Sequence, residues 1–133
     1  MKANSTCIII VTALACLLAA SLVGCGGKKS SAKADSMELE RAFGLKPGAP
    51  PSEEPTPAGL ASRAVAAIRA QDWPKAVSLL GQLRRARDLT ADQMHAVHNA
   101  QGNANVRLAE LAGKGNAEAK AALDRAKQEA DRR

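Results

Sequence analysis

The sequence predicts an all-α protein: two antiparallel helical hairpins, about four helices in a small bundle, on a flexible tether. Three observations predict it. Apolar letters make up 46% of the 133 residues, yet outside one dense N-terminal block most of them are Ala, the strongest helix former. After Thr56 the apolar residues recur at three and four rather than alternating. A capping residue stands ahead of each such run. With one Phe, one Trp and no Tyr in a chain of this length, the folded part is at most one small domain. That excludes a large enzyme.

The N-terminal block comes first. Lys2 and the amino terminus precede 17 residues without a charge, Ile8 to Gly24, which is the pattern of an export signal. The run is shorter than the about 20 apolar residues of a spanning helix and fades into small residues before Cys25. Cleavage is the expectation; an uncleaved signal-anchor helix is the alternative. Leu22-Val23-Gly24-Cys25 resembles the lipobox of bacterial lipoproteins, in which an aliphatic residue and a small residue lead into an invariant Cys. The resemblance implies cleavage between Gly24 and Cys25, removal of residues 1–24, a diacylglyceryl group on the Cys25 thiol and an acyl chain on the new amino terminus. No other cofactor is implied. Two or three acyl chains hold stably where one holds marginally. Gly26 stands where inner-membrane lipoproteins carry a retention Asp, so the outer membrane is favoured in a cell with two membranes, with the domain on the periplasmic side; otherwise the location is the cell membrane. Cys7 and Cys16 fall in the leader, which leaves the mature chain without a possible internal disulfide.

Residues 25–57 read as the tether. They hold Gly26, Gly27, Ser30 and Ser31, then Pro47, Pro50, Pro51, Pro55 and Pro57. Lys28 and Lys29 adjoin the lipid, where each could gain about 1 kcal/mol from an anionic bilayer. Within the tether, Ser36 is placed to cap a short helix over 37–43, with Gly44 as its C′ residue and Pro47 beyond. Two turns do not stand alone in water, and Met37, Leu39 and Phe43 give this segment apolar surface. Docking, on its own domain or on another protein, is the expectation. Burying Leu39 and Phe43 brings about 1.5–3 kcal/mol per side chain against about 1–2 kcal/mol per ordered residue, so exchange between docked and free states is predicted.

The helical domain spans residues 58–131. Thr56 and Pro57 open its first helix, with Leu60, Ala61, Ala64, Val65 and Ile68 on one face. Asp72 caps the second, Pro74 is tolerated in its first turn, and Ala76, Val77, Leu79, Leu80 and Leu83 form its apolar face up to about Arg87. Thr90-Ala91-Asp92-Gln93 has capping-box spacing for a longer third helix, striped by Met94, Val97, Gln101, Ala104, Leu108 and Leu111 and weakened by Gly102. Asn116 and Glu118 open a fourth after Gly113 and Gly115, running to about Asp131. Leu123 is its one large apolar residue, so this helix is predicted to be held most weakly. Short connections make successive helices antiparallel neighbours. Gln71-Asp72-Trp73, followed by Ala76, resembles the inter-helix turn of a tetratricopeptide repeat, in which Gly-Asp/Asn-aromatic leads to a small residue. That resemblance implies a protein-interaction scaffold. Lys114-Gly115-Asn116-Ala117 echoes the turn 44 residues later rather than the family's about 34, against a regular array.

Candidate sites are few. His95 and His98, near Asp92, lack a converging third ligand and do not make a metal site. Arg84, Arg85 and Arg87 complement the dipole at the end of the second helix; their functional reading is an anion-binding patch, since residues 58–133 carry 13 Lys+Arg against 8 Asp+Glu. No aromatics interleave with them, so nucleic acid is not an implied partner, and no small-molecule substrate is evident. Ser62 and Ser78 lie in no nucleophile motif, and catalysis is not expected. Trp73 is a plug between hairpins or a binding hot spot. Partner binding, where it occurs, falls to Trp73, Phe43, Arg84, Arg85 and Arg87. The functional expectation is a lipid-anchored cell-envelope protein with a small helical adaptor domain and an envelope protein as partner. The alternative is a cationic envelope protein that binds anionic lipid, lipopolysaccharide or wall polymer through the arginines. Intact mass of the protein from its native membrane checks the anchor: loss of residues 1–24 with acyl mass on Cys25 is expected, and an unprocessed chain contradicts it.

Overall fold

The computed structural model describes residues 32–132; the leader, Gly24 and Cys25 lie outside the described residues. The protein is all-α, with five helices and no strand among the described residues: α1 (Ala32–Ala42), α2 (Pro57–Arg69), α3 (Trp73–Arg84), α4 (Ala91–Gly113) and α5 (Ala117–Asp131).

Side chains close the N-termini of four helices by taking first-turn N–H groups that have no intrahelical acceptor. Thr56 Oγ1 accepts from the Gly59 amide at 3.1 Å, and Asp72 Oδ1 from the Lys75 amide at 3.1 Å. Thr90 and Gln93 form a reciprocal capping box at 3.2 and 3.0 Å. Asn116 Oδ1 accepts from the Ala119 amide at 2.9 Å. Between α2 and α3 the chain reverses in three residues: the Asp72 amide donates to the Ala67 carbonyl at 2.9 Å and the Gln71 amide to the Ile68 carbonyl at 3.1 Å. This closure requires a left-handed residue, and Gln71 adopts φ 57° to supply it.

The 23 residues of α4 form a rod about 34 Å long. Against it pack α1, α3 and α5, while α2 bridges α1 and α3. Leu39, Ile68, Leu80, Leu83, Val97 and Leu108 are the large apolar side chains that are fully buried. Between them the interfaces are built from alanine: Ala61, Ala64, Ala76, Ala100 and Ala104 are equally inaccessible. Side chains this small bring helix axes together toward the near end of the usual 8–10 Å range.

The apolar face predicted for α3 is the one buried. Three details differ from the sequence expectation. First, α4 buries Ala96, Val97, Ala100, Ala104 and Leu108, while Met94 is 39% exposed and Leu111 only partly covered. A helix with three neighbours buries a wide arc, and that arc follows the alanines rather than the larger side chains. Second, α5 reaches the core through Ala119 and Ala122, with Leu123 at the edge, because the smallest side chains allow the closest approach. Third, α1 starts at Ala32, ahead of Ser36. Ser36 is a buried interior residue whose hydroxyl donates to the Lys33 carbonyl at 2.9 Å, a bond compatible with helix interior. Gly44 does occupy the C′ place, at φ 63°, with the Leu45 amide donating to the Glu40 carbonyl at 2.8 Å.

From Leu45 the chain runs along α2. The Ser52 amide donates to Ser62 Oγ at 3.1 Å, and the Glu54 carbonyl oxygen comes so close to Gly59 that a Cβ there would collide with it. Gln71→Gly should raise stability by about 1 kcal/mol, since the left-handed conformation carries a penalty of about that size for a side chain and none for Gly. Urea unfolding is the check: the midpoint should rise with its slope unchanged.

Candidate functional site

Two regions of the domain bring polar groups together, one on each side of α4. The first is the seat of α1, which lies antiparallel to α4. Gln93 Nε2 donates to the Ala42 carbonyl at 3.3 Å, Asn99 Nδ2 to Glu38 Oε1 at 3.3 Å, and Asn103 Nδ2 to Asp35 Oδ1 at 2.8 Å. Glu40 is buried and pairs with Arg69 of α2, Oε1 to Nη2, at 2.7 Å, and the Gly48 amide donates to the same oxygen at 3.4 Å. His95 Nδ1 stands 3.6 Å from Glu38 Oε1. At the centre of this polar seat sits Leu39, fully buried. Phe43 is only partly buried at the margin, and Met37 is 56% exposed. Leu39 is thus the one large side chain of α1 that is fully buried, with Ala32, Ala42 and Phe43 packed at its edges and charge-assisted bonds framing it, a pattern that an apolar count of residues 37–43 does not disclose.

The second region is an open cleft of 490 Å³ in which α3 and α5 form the walls and α4 the floor. Small side chains line the walls: Ser78 and Gly81 from α3, Ala122 and Ala126 from α5. Gln101 and Asn105 provide the floor, and Gln101 Oε1 and Asn105 Oδ1 are buried without a hydrogen-bond partner. Buried amide oxygens are almost always paired in folded proteins; these two are unpaired and closed to solvent beneath the cleft surface. Around the cleft stand Arg84, Arg85 and Arg125, with Glu129 as the one carboxylate of the lining. Arg85 Nη1 meets Glu129 Oε2 at 3.2 Å, with the two side chains 50% and 61% exposed. A pair so exposed contributes little and is readily exchanged.

Of the sequence candidates, Arg84 and Arg85 reach this cleft, whereas Arg87 lies in the turn after α3 and is not part of its lining. Trp73 is 8% exposed and belongs to the core, while the next residue, Pro74, borders the cleft. Arg125, Gln101 and Asn105 were not singled out by sequence reasoning as binding residues. The available signal was the alternation Asn99, Gln101, Asn103, Asn105, which places amide pairs on opposite faces of one helix at about 100° per residue. His98 is exposed, and no group of three His, Cys, Asp or Glu converges among the described residues. Ser62 serves the loop before α2 as acceptor from Ser52. No described helix is long and apolar enough to cross a membrane. Compared with known proteins, the chain matches no family model, no curated protein and no solved structure.

The seat of α1 makes a measurable distinction between two substitutions. Leu39→Ala should remove about 2–5 kcal/mol from the docking of α1. Amide exchange of residues 32–42 should then approach that of a free peptide, while α3 and α4 keep their protection. Phe43→Ser, at the margin, should cost less than half as much and leave α1 protected.

Proposed function

We propose that the chain is a lipid-anchored envelope protein, held through Cys25, whose helical domain is a non-catalytic binding module for an envelope protein. The observation that carries the binding part is the α3–α4–α5 cleft: open, edged by three arginines, and floored by two buried amide oxygens that lack partners. The lipobox, Leu22-Val23-Gly24-Cys25, supports the anchoring part. The likeness of Gln71-Asp72-Trp73 to a tetratricopeptide turn supports a scaffold role: two helices, α2 and α3, pack through a short reversal whose left-handed place that family fills with Gly.

A second reading is favoured by the clustering of Arg84, Arg85 and Arg125 along one cleft: a cationic envelope protein that binds anionic lipid, lipopolysaccharide or wall polymer. The two readings do not divide on whether the arginines matter, because a protein partner in the cleft meets Arg84, Arg85 and Arg125 as well. They divide on what is bound. Detergent-solubilised mature protein, wild type and an Arg84→Ala, Arg85→Ala, Arg87→Ala variant side by side, should be tested for capture of envelope proteins and for binding to anionic vesicles. The adaptor reading expects one stoichiometric protein partner that the variant binds at least about tenfold more weakly, a loss of about 1.4 kcal/mol. Binding to vesicles alone, abolished by salt, supports the second reading, and binding to neither overturns both.

A further inference from the structure

We infer that the exposed face of α1, the row Lys33, Met37 and Arg41, rests on the anionic surface of the bilayer that holds the anchor, so that the α3–α4–α5 cleft opens away from the membrane. The inference rests on the lipid-anchor reading and deepens it by assigning the face that meets the lipid.

The carboxylates and cations of α1 part to different sides. All three carboxylates are engaged with the domain: Asp35 accepts from Asn103, Glu38 accepts from Asn99, and Glu40 pairs with Arg69. Lys33, Met37 and Arg41 recur at every fourth residue, which sets them in one row along the helix, and all three are exposed. Beside the row, an open hollow of 940 Å³ extends past Ala32, Leu45 and Pro47. The outer face of α1 thus holds a long apolar side chain between two cations, the combination with which a surface helix settles at the headgroup boundary of a bilayer. No carboxylate stands in the row to repel an anionic lipid.

The length of chain selects this face. Cys25 precedes Ala32 by seven residue steps, at most about 25 Å of chain, and Lys28 and Lys29 lie between them. Arg84, Arg85 and Arg125 also give the cleft side positive charge, so charge alone does not choose between the two sides. With α1 against the bilayer, its axis stands one helix radius, about 5–6 Å, above the surface. With the cleft side down, α4 and then α3 or α5 stand between, and two spacings of about 8–10 Å lift the α1 axis to about 21–26 Å. Only a chain drawn out nearly straight would span that height. Each cation held near an anionic surface favours contact about fivefold, and Lys28, Lys29, Lys33 and Arg41 all act on the near side.

The test uses the full mature protein, taken from its native membrane into nanodiscs of phosphatidylglycerol and phosphatidylcholine in equal parts, with a trace of lipid carrying a headgroup nitroxide. Loss of the leader leaves two methionines, Met37 and Met94, so methyl labelling gives two signals. Met94 lies seven residues before Gln101 and therefore on the cleft side of α4, where it serves as the internal control. Relative to the same sample after reduction of the nitroxide, the Met37 signal should be lost and the Met94 signal kept. In discs of phosphatidylcholine alone, or in high salt, the Met37 signal should return. Lys33→Gln with Arg41→Gln should shift the ratio of seated to unseated domain about 25-fold toward the unseated. Should that variant fail to fold by circular dichroism, the lipid and salt series on the unaltered chain still gives the answer. Retention of both signals, loss of both, or loss of Met94 alone overturns the inference, as does a loss of Met37 that neither salt nor neutral lipid reverses. Intact mass is measured on the same sample. If Cys25 carries acyl chains and the Met37 signal stays, only this inference falls; if Cys25 carries none, the anchor reading falls with it.

Discussion

The packing of three helices onto α4 through alanine is the constraint on which the rest of the structure depends. Ala96, Ala100 and Ala104 form one row along that helix, four residues apart, and are buried. Each contributes little transfer free energy by itself, because a methyl group covers little area. What the row provides is proximity: with no bulk between axes, Leu80, Leu83, Leu39 and Leu108 can interlock across the gaps. A core of this kind is sensitive to enlargement more than to truncation, since an added methylene at such a contact forces an axis outward. The capping box at Thr90 and Gln93 fixes where the rod begins, and with it the register of everything seated on it.

That register explains why α4 can serve two faces with the same residue types. Amides at 99 and 103 look toward α1, and amides at 101 and 105 look toward the cleft. The first pair meets an acidic helix. Without α1 the domain is strongly cationic, and Asp35, Glu38 and Glu40 bring carboxylates to the side where Arg69 and His95 stand. The arginines of α3 and α5 are left on the other side, which is where the positive field of the domain then concentrates.

Much of this was legible in the sequence, and the divide is physical. Caps are local: Thr56, Asp72, Thr90 and Asn116 act on residues three positions away, so spacing alone locates them. The face of α3 was legible because large apolar side chains mark it. The seat of α1 was not, because it depends on pairs far apart in the chain, Asp35 with Asn103 and Glu40 with Arg69, and a polar interface leaves no hydrophobic period. Ser36 looked like a cap because Ser stops helices as readily as it bonds back into them, and only the carbonyl of Lys33 decides which. The cleft was half legible. Arg84 and Arg85 announced themselves as a run, whereas Arg125 joins them only through the packing of α5 on α4.

The docking of α1 has a consequence for where the domain can travel. The docked chain includes Ala32, so with a lipid on Cys25 at most seven residue steps would separate membrane and domain, a reach of no more than about 25 Å. Were α1 and the following loop to let go as far as Pro57, the same leash would extend to about 110 Å. The volume the domain sweeps would grow steeply, and its local concentration near any fixed target on the membrane would fall with it. With such an anchor in place, Leu39 and a handful of carboxylate bonds would set the radius within which the domain moves.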